Sequence, residues 1–224
     1  YRPLDVSIQV PETTSDTSSL SAERLHIFFD FSKTGVVQVA ELYILHNPTG
    51  KIIIPAEEGA PVLLFNLPQG AVNLQFQEGA LGGRYIQTAN GFGDTQAVGP
   101  EDGQQVLFGF DLPAQDVIAM SLPLAMPVEE AVVMLPEGTM NLESSQLSDL
   151  GEREMDNSTI HLYMGSNLPA GEPLQISLSQ YPTGVENIIN LPTVWVIVLA
   201  VAGIGTAAAG LYLWIRNRKT ARTN

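Results

Sequence analysis

Short runs in which apolar and polar residues alternate, each closed by Gly, Pro or Asn, recur along most of this chain. A period of two places alternate side chains on opposite faces of a strand, so such runs cannot settle as helices. "RLHIFFDF" at 24–31 sets Leu25, Ile27, Phe29 and Phe31 on one face. "VVQVAELYILHNP" at 36–48 reads as a long strand that Asn47-Pro48 stops. "PVLLFNLP", "VNLQF", "RYIQT" and "QQVLFGFDLP" carry the series to residue 113, and "DVIAMSLPL", "EEAVVMLP", "STIHLYMG" and "PLQISLSQYP" complete it. Short strands at this spacing predict an antiparallel β-sandwich. The Ser- and Thr-rich segment before them, within 1–24, reads as an extended linker.

An internal echo suggests two related units. "LPQGAVNL" begins at Leu67 and "LPEGTMNL" at Leu135, an offset of 68 residues. "GQQVLFGFDL" at 103–112 aligns with "GEPLQISLSQ" at 171–180 at the same offset. A duplicated sandwich unit would leave such a trace, with one unit over 25–113 and the other over 114–182. A common strand-ending turn, with Pro to open it and Gly at positive φ, accounts for the first match equally simply.

A different pattern closes the chain. After a juxtamembrane linker at 183–193, the 22 residues from Val194 to Ile215 hold no charge and no polar stripe. As a helix they would span roughly 33 Å, the thickness of a hydrocarbon core. Trp195 at one end and Tyr212 and Trp214 at the other suit the two interfaces. Arg216, Arg218, Lys219 and Arg222 follow within a basic tail at 216–224, which predicts a cytoplasmic tail and an extracytoplasmic head. Gly203, Gly205, Thr206, Ala207, Ala209 and Gly210 could let a second membrane helix approach closely, although small residues are frequent in any such helix.

Charge divides along the same line. The chain carries 24 Asp and Glu against 10 Lys and Arg, a formal net charge of −14. All the acids lie at or before Glu186, so the head repels phosphates and no nucleic-acid partner is expected. An extracytoplasmic head implies a signal peptide removed from a precursor. The chain has no cysteine, which excludes disulfides, thiolate catalysis and Cys-ligated metals.

"VPETTSDTSSLSAERLHIFFDF", "LYILHNPTGK", "LPQGAVNLQF", "GGRYIQTANGFGDT" and "QQVLFGFDLP" together resemble a group of bacterial extracytoplasmic proteins. In those, a carboxypeptidase-regulatory-like (transthyretin-like) sandwich precedes β-sandwich segments and a single membrane span. The resemblance implies an envelope protein whose amino-terminal domain would lie before Tyr1. It implies no catalytic residues.

The residues offer little chemistry. His26, His46 and His161 are the only histidines, and no two stand at ligand spacing. There is no G-x-S-x-G, H-E-x-x-H or P-loop motif. Asp94, Glu101 and Asp102 fall in one Gly-rich stretch, and Asp149, Glu152, Glu154 and Asp156 in another. Such carboxylates suit Ca²⁺, yet neither stretch has the order of an EF-hand loop, and both also read as solvated turns. No cofactor is expected. The expected role is a non-enzymatic, membrane-anchored subunit that docks a protein partner. Alternatives are a carbohydrate- or Ca²⁺-binding module that uses exposed aromatics such as Tyr85 and Phe92, and a hydrolase built on His161.

Overall fold

The structure, a computed structural model, describes residues 11–100, 103–155 and 158–180. Fifteen strands account for all its regular structure. The first five are β1 (Thr13–Thr14), β2 (Ser21–Asp30), β3 (Val36–His46), β4 (Ile52–Ile53) and β5 (Leu63–Asn66). Next come β6 (Val72–Phe76), β7 (Tyr85–Thr88), β8 (Gly91–Asp94), β9 (Gln104–Pro113) and β10 (Val117–Leu122). The last are β11 (Val128–Pro136), β12 (Met140–Glu143), β13 (Ser148–Met155), β14 (Ser158–Leu168) and β15 (Leu174–Gln180). The all-β body expected from the alternating runs is present. Among the described residues no helix is long and apolar enough to cross a membrane. The apolar run 194–215, its aromatic ends, its small residues and the basic tail lie outside the described residues.

A seven-stranded sheet runs in the order β13-β14-β11-β2-β3-β9-β6. Two three-stranded sheets, β5-β8-β7 and β10-β15-β12, share one hydrophobic core with it, and β1 pairs in parallel with β4. Period-two alternation sorts the side chains. On β3, Val37, Val39, Tyr43 and Leu45 enter the main core, whereas Ala40 and Leu42 belong to a smaller cluster on the opposite face. On β2, Ala22 and Leu25 both enter the main core despite their odd separation. A register shift between Ala22 and Arg24 absorbs the extra residue and restores the alternation.

Strands β3, β5, β6, β7, β8 and β9 form the three-strand orders β3-β9-β6 and β5-β8-β7. The next six strands, β10 to β15, repeat both: β10-β15-β12 and β11-β14-β13. The spacing of 68 recurs at one point of the pairing, beyond the register shift in β6. Gln75 stands opposite Gly109, and Glu143 stands opposite Ser177. Gly70 and Gly138 close the two "LP-x-G" turns at φ of 87° and 71°, a region where a side chain would be strained.

β2 belongs to neither set of six. It pairs antiparallel with β3 along nine residues and parallel with β11 along six. It thereby joins three strands of the first set to three of the second in one continuous sheet.

Candidate interaction surface

The buried polar side chains are spent on structure. Arg84 forks onto Asp94, with Nε 2.9 Å from Oδ1 and Nη2 2.6 Å from Oδ2. Asp94 is 1% exposed and also accepts the Gln96 amide at 3.0 Å. Its carboxylate is therefore committed to holding the end of β8 rather than facing a loop, as its place in a Gly-rich stretch suggests. Asn47 donates from Nδ2 to the carbonyls of Lys51, Val98 and Gly99, and its Oδ1 accepts from Thr49. This amide fastens the end of β3 to the strand β4 and the loop after β8.

Asp111 accepts from Lys33 Nζ at 2.7 Å, Asn73 Nδ2 at 2.9 Å and Gln38 Nε2 at 3.2 Å. Burial pushes its carboxyl up, but those three donors outweigh it and leave it below the ordinary range. Glu41 lies inside the main core, on the same face as Tyr43. Burial pushes its carboxyl up to about 8, and a hydrogen bond with Tyr43 draws it back only in part. The Tyr43 hydroxyl also meets the backbone of Ala125, between β10 and β11.

The remaining sequence candidates are dispersed. His161 Nε2 lies 2.6 Å from Asp149 Oδ1 at the sheet edge, and the ring stacks 4.7 Å from Tyr163. The β13–β14 register places Glu152 opposite His161, and Glu152 is exposed. Glu101, Asp102 and Asp156 lie outside the described residues. Among the described residues no three His, Asp or Glu side chains come together as a metal site. His26 sits on the opposite face to the main core, beside Phe28, with its Nδ1 buried and unpartnered. Burial, with Arg24 nearby, pushes it down to about 4, so it is neutral at ordinary pH.

Tyr85 and Phe92 correct one expectation. They are 1% and 0% exposed, not surface aromatics for a ligand. Tyr85 stacks on Phe76 at 3.9 Å between ring centres, and Phe92 packs against Phe65 and Phe108. A strand written "RYIQT" or "GFGDT" shows which residues share a face but not which face is inside.

What remains open to a partner is strand edge. An edge offers unpaired N–H and C=O groups, and proteins ordinarily blunt it with charge, proline, bulges or brevity. β13 carries Asp149, Glu152, Arg153 and Glu154, with a bulge between Asp149 and Gly151. β6 is broken by Asn73 at φ 54°, where its register with β9 shifts. β5, β7 and β12 are four residues each.

β10 has none of these devices. Its six residues, "VIAMSL", are uncharged and free of proline, and they pair with β15 without a break. Ile118, Met120 and Leu122 point into the core, while Val117, Ala119 and Ser121 are exposed, Val117 at 55%. Among the described residues β15 is its one neighbour. Only Asp116 before it and Pro123 after it mark its ends.

No known family's sequence profile matches this chain, and no curated protein matches it.

Proposed function

We propose that this protein is a non-enzymatic docking subunit: an extracytoplasmic β-sandwich head held to a membrane by residues 194–215, with residues 216–224 on the cytoplasmic side. The observation that carries docking is the unguarded edge of β10 on a body whose other edges are short, bulged or charged. The uncharged run ahead of Arg216, Arg218 and Lys219 supports the anchor and its orientation. The small residues Gly203, Gly205, Thr206, Ala207, Ala209 and Gly210 offer a face for a companion helix in the same membrane. The likeness to single-span envelope proteins agrees with this placement.

The test is purification of the full chain in mild detergent, beside an Ala119→Lys variant that places a charge on the β10 edge. A companion protein should accompany the native chain and be reduced at least about tenfold in the variant, with unchanged circular dichroism. A clean monomer, or a companion held equally by both, would sink the reading. Protease applied from the cytoplasmic side of sealed vesicles should spare the head.

A further inference from the structure

The edge of β10 has a counterpart within the molecule whose occupant is known. β10 takes the place in its sheet that β3 takes in the first set of six strands: β3-β9-β6 against β10-β15-β12. Beyond the register shift in β6, one pair fixes the correspondence. Gln75 opposite Gly109 repeats as Glu143 opposite Ser177, each position moved by 68. Ala40 stands opposite that same Gly109 on β3, and Ala119 opposite that same Ser177 on β10. Ala119 is therefore the equivalent of Ala40. Val39, Glu41 and Tyr43, which face the core, map onto Ile118, Met120 and Leu122, which face it too.

On β3 the free edge is taken by β2, antiparallel, with Phe28 opposite Ala40 and Ile27 opposite Glu41. β2 reaches that position because it precedes β3 in the chain. Before β10 there is no such strand: β9 ends at Pro113 and β10 begins at Val117. β2 flanks the second set at β11 instead, so among the described residues the edge of β10 lacks the strand that its equivalent β3 has.

We infer that the β10 edge is a strand acceptor, which takes an extended segment of a different protein, running antiparallel to β10 as β2 runs to β3. The inference rests on the docking reading and states how the partner engages. Backbone pairing supplies the attachment, and the register fixes the side-chain chemistry. Inward residues of the incoming strand meet Ile118, Met120 and Leu122, so they are apolar. Outward residues lie beside Val117, Ala119 and Ser121, small and neutral groups that demand no charge. The bound strand adds a fourth member to β10-β15-β12.

The chain has no cysteine, so an Ala119→Cys variant of the full protein carries one thiol. The probe is a synthetic peptide with the β2 sequence, Ser21–Asp30, in two forms: Phe28→Cys and Ile27→Cys. Strand addition in the β2 register sets the first peptide's thiol beside the one introduced on β10 and turns the second to the other face. The disulfide yield under mild oxidation should favour the Phe28→Cys peptide by at least about fivefold, and the cysteine-free peptide should compete it away.

Equal yields, or none, overturn the inference, including the case in which a segment of this same chain already fills the edge. A disulfide-linked homodimer of the Ala119→Cys protein that excludes the peptide assigns the edge to a second copy and overturns it as well. Its failure is separable from that of the docking reading. A companion lost from Ala119→Lys with no peptide cross-link leaves docking standing and removes strand addition. A register-specific cross-link without a companion does the reverse.

Discussion

Glu41 and Tyr43 share a hydrogen bond inside the core, two residues apart on one face of β3. A carboxyl placed there is held in its neutral form, because ionising it would strand a charge without water. Its pKa in the fold is about 8, far above that of an exposed glutamate. The folded state consequently holds a proton that the unfolded chain releases, and stability falls as pH rises through that interval.

His26 acts in the opposite sense. Its folded pKa of about 4 lies below the unfolded value, so the unfolded chain binds the extra proton and stability falls as pH drops. Between about pH 5 and 6.5 the two slopes oppose each other; between about 6.5 and 8 Glu41 acts alone. In urea titrations, native stability should decline there by up to about 1.4 kcal/mol per pH unit, and Glu41→Gln should flatten that decline. An unchanged slope in the variant would refute the assignment.

Arg84→Met should cost about 3–5 kcal/mol. It removes the cation from Asp94, whose carboxylate is almost fully enclosed and keeps only the Gln96 amide. The paired change Arg84→Met with Asp94→Asn should recover part of the loss. A single variant as stable as the native chain in denaturant titration would show that water reaches Asp94.

Gly91→Ala should cost about 3 kcal/mol, although its backbone is in an ordinary conformation. A methyl group there would lie 2.1 Å from the Phe65 carbonyl oxygen, against backbone that cannot give way. Gly103→Ala is strained for another reason, its φ of 94°, with nothing near the added carbon. Thermal melts of the pair should rank Gly91→Ala as the more damaging.

Asn47→Ala should destabilise by about 2–4 kcal/mol, since three carbonyls lose their donor at once. Asn47→Asp, which keeps the shape but supplies no amide hydrogens, should be no better. Stability equal to native in the Asp variant would show that water replaces the donor.

Strand positions are legible in the sequence because alternation over five or more residues has few other outcomes. "VVQVAELYILH" and "QQVLFGFDLP" are strands over nearly the stretches their patterns mark. The recurring spacing of 68 is visible in two short matches, and strand order alone gives it structural content. Pairing partners are not legible, because they join residues as distant as Arg24 and Glu130. Hence the sequence can place "DVIAMSLPL" on a strand without revealing that β10 is an edge. Burial of charge is hidden for the same reason. Glu41 sits in a run of alternating residues where a solvent-facing glutamate would look identical, and Asp94 resembles a loop ligand until Arg84 is brought beside it. Tyr85 and Phe92 look like surface aromatics because the pattern around them does not tell the inner face from the outer; beside Phe92, Gly91 lets the Phe65 backbone pack close.

The shared strand has a mechanical consequence. Excising Ser21–Asp30 would bare a flank on each neighbour and uncouple the molecule into two incomplete sandwiches. A single nick in the hairpin at 31–35, by contrast, would leave the liberated piece clamped from both sides. Heating should therefore melt the body in one concerted step, and neither half should survive expression by itself.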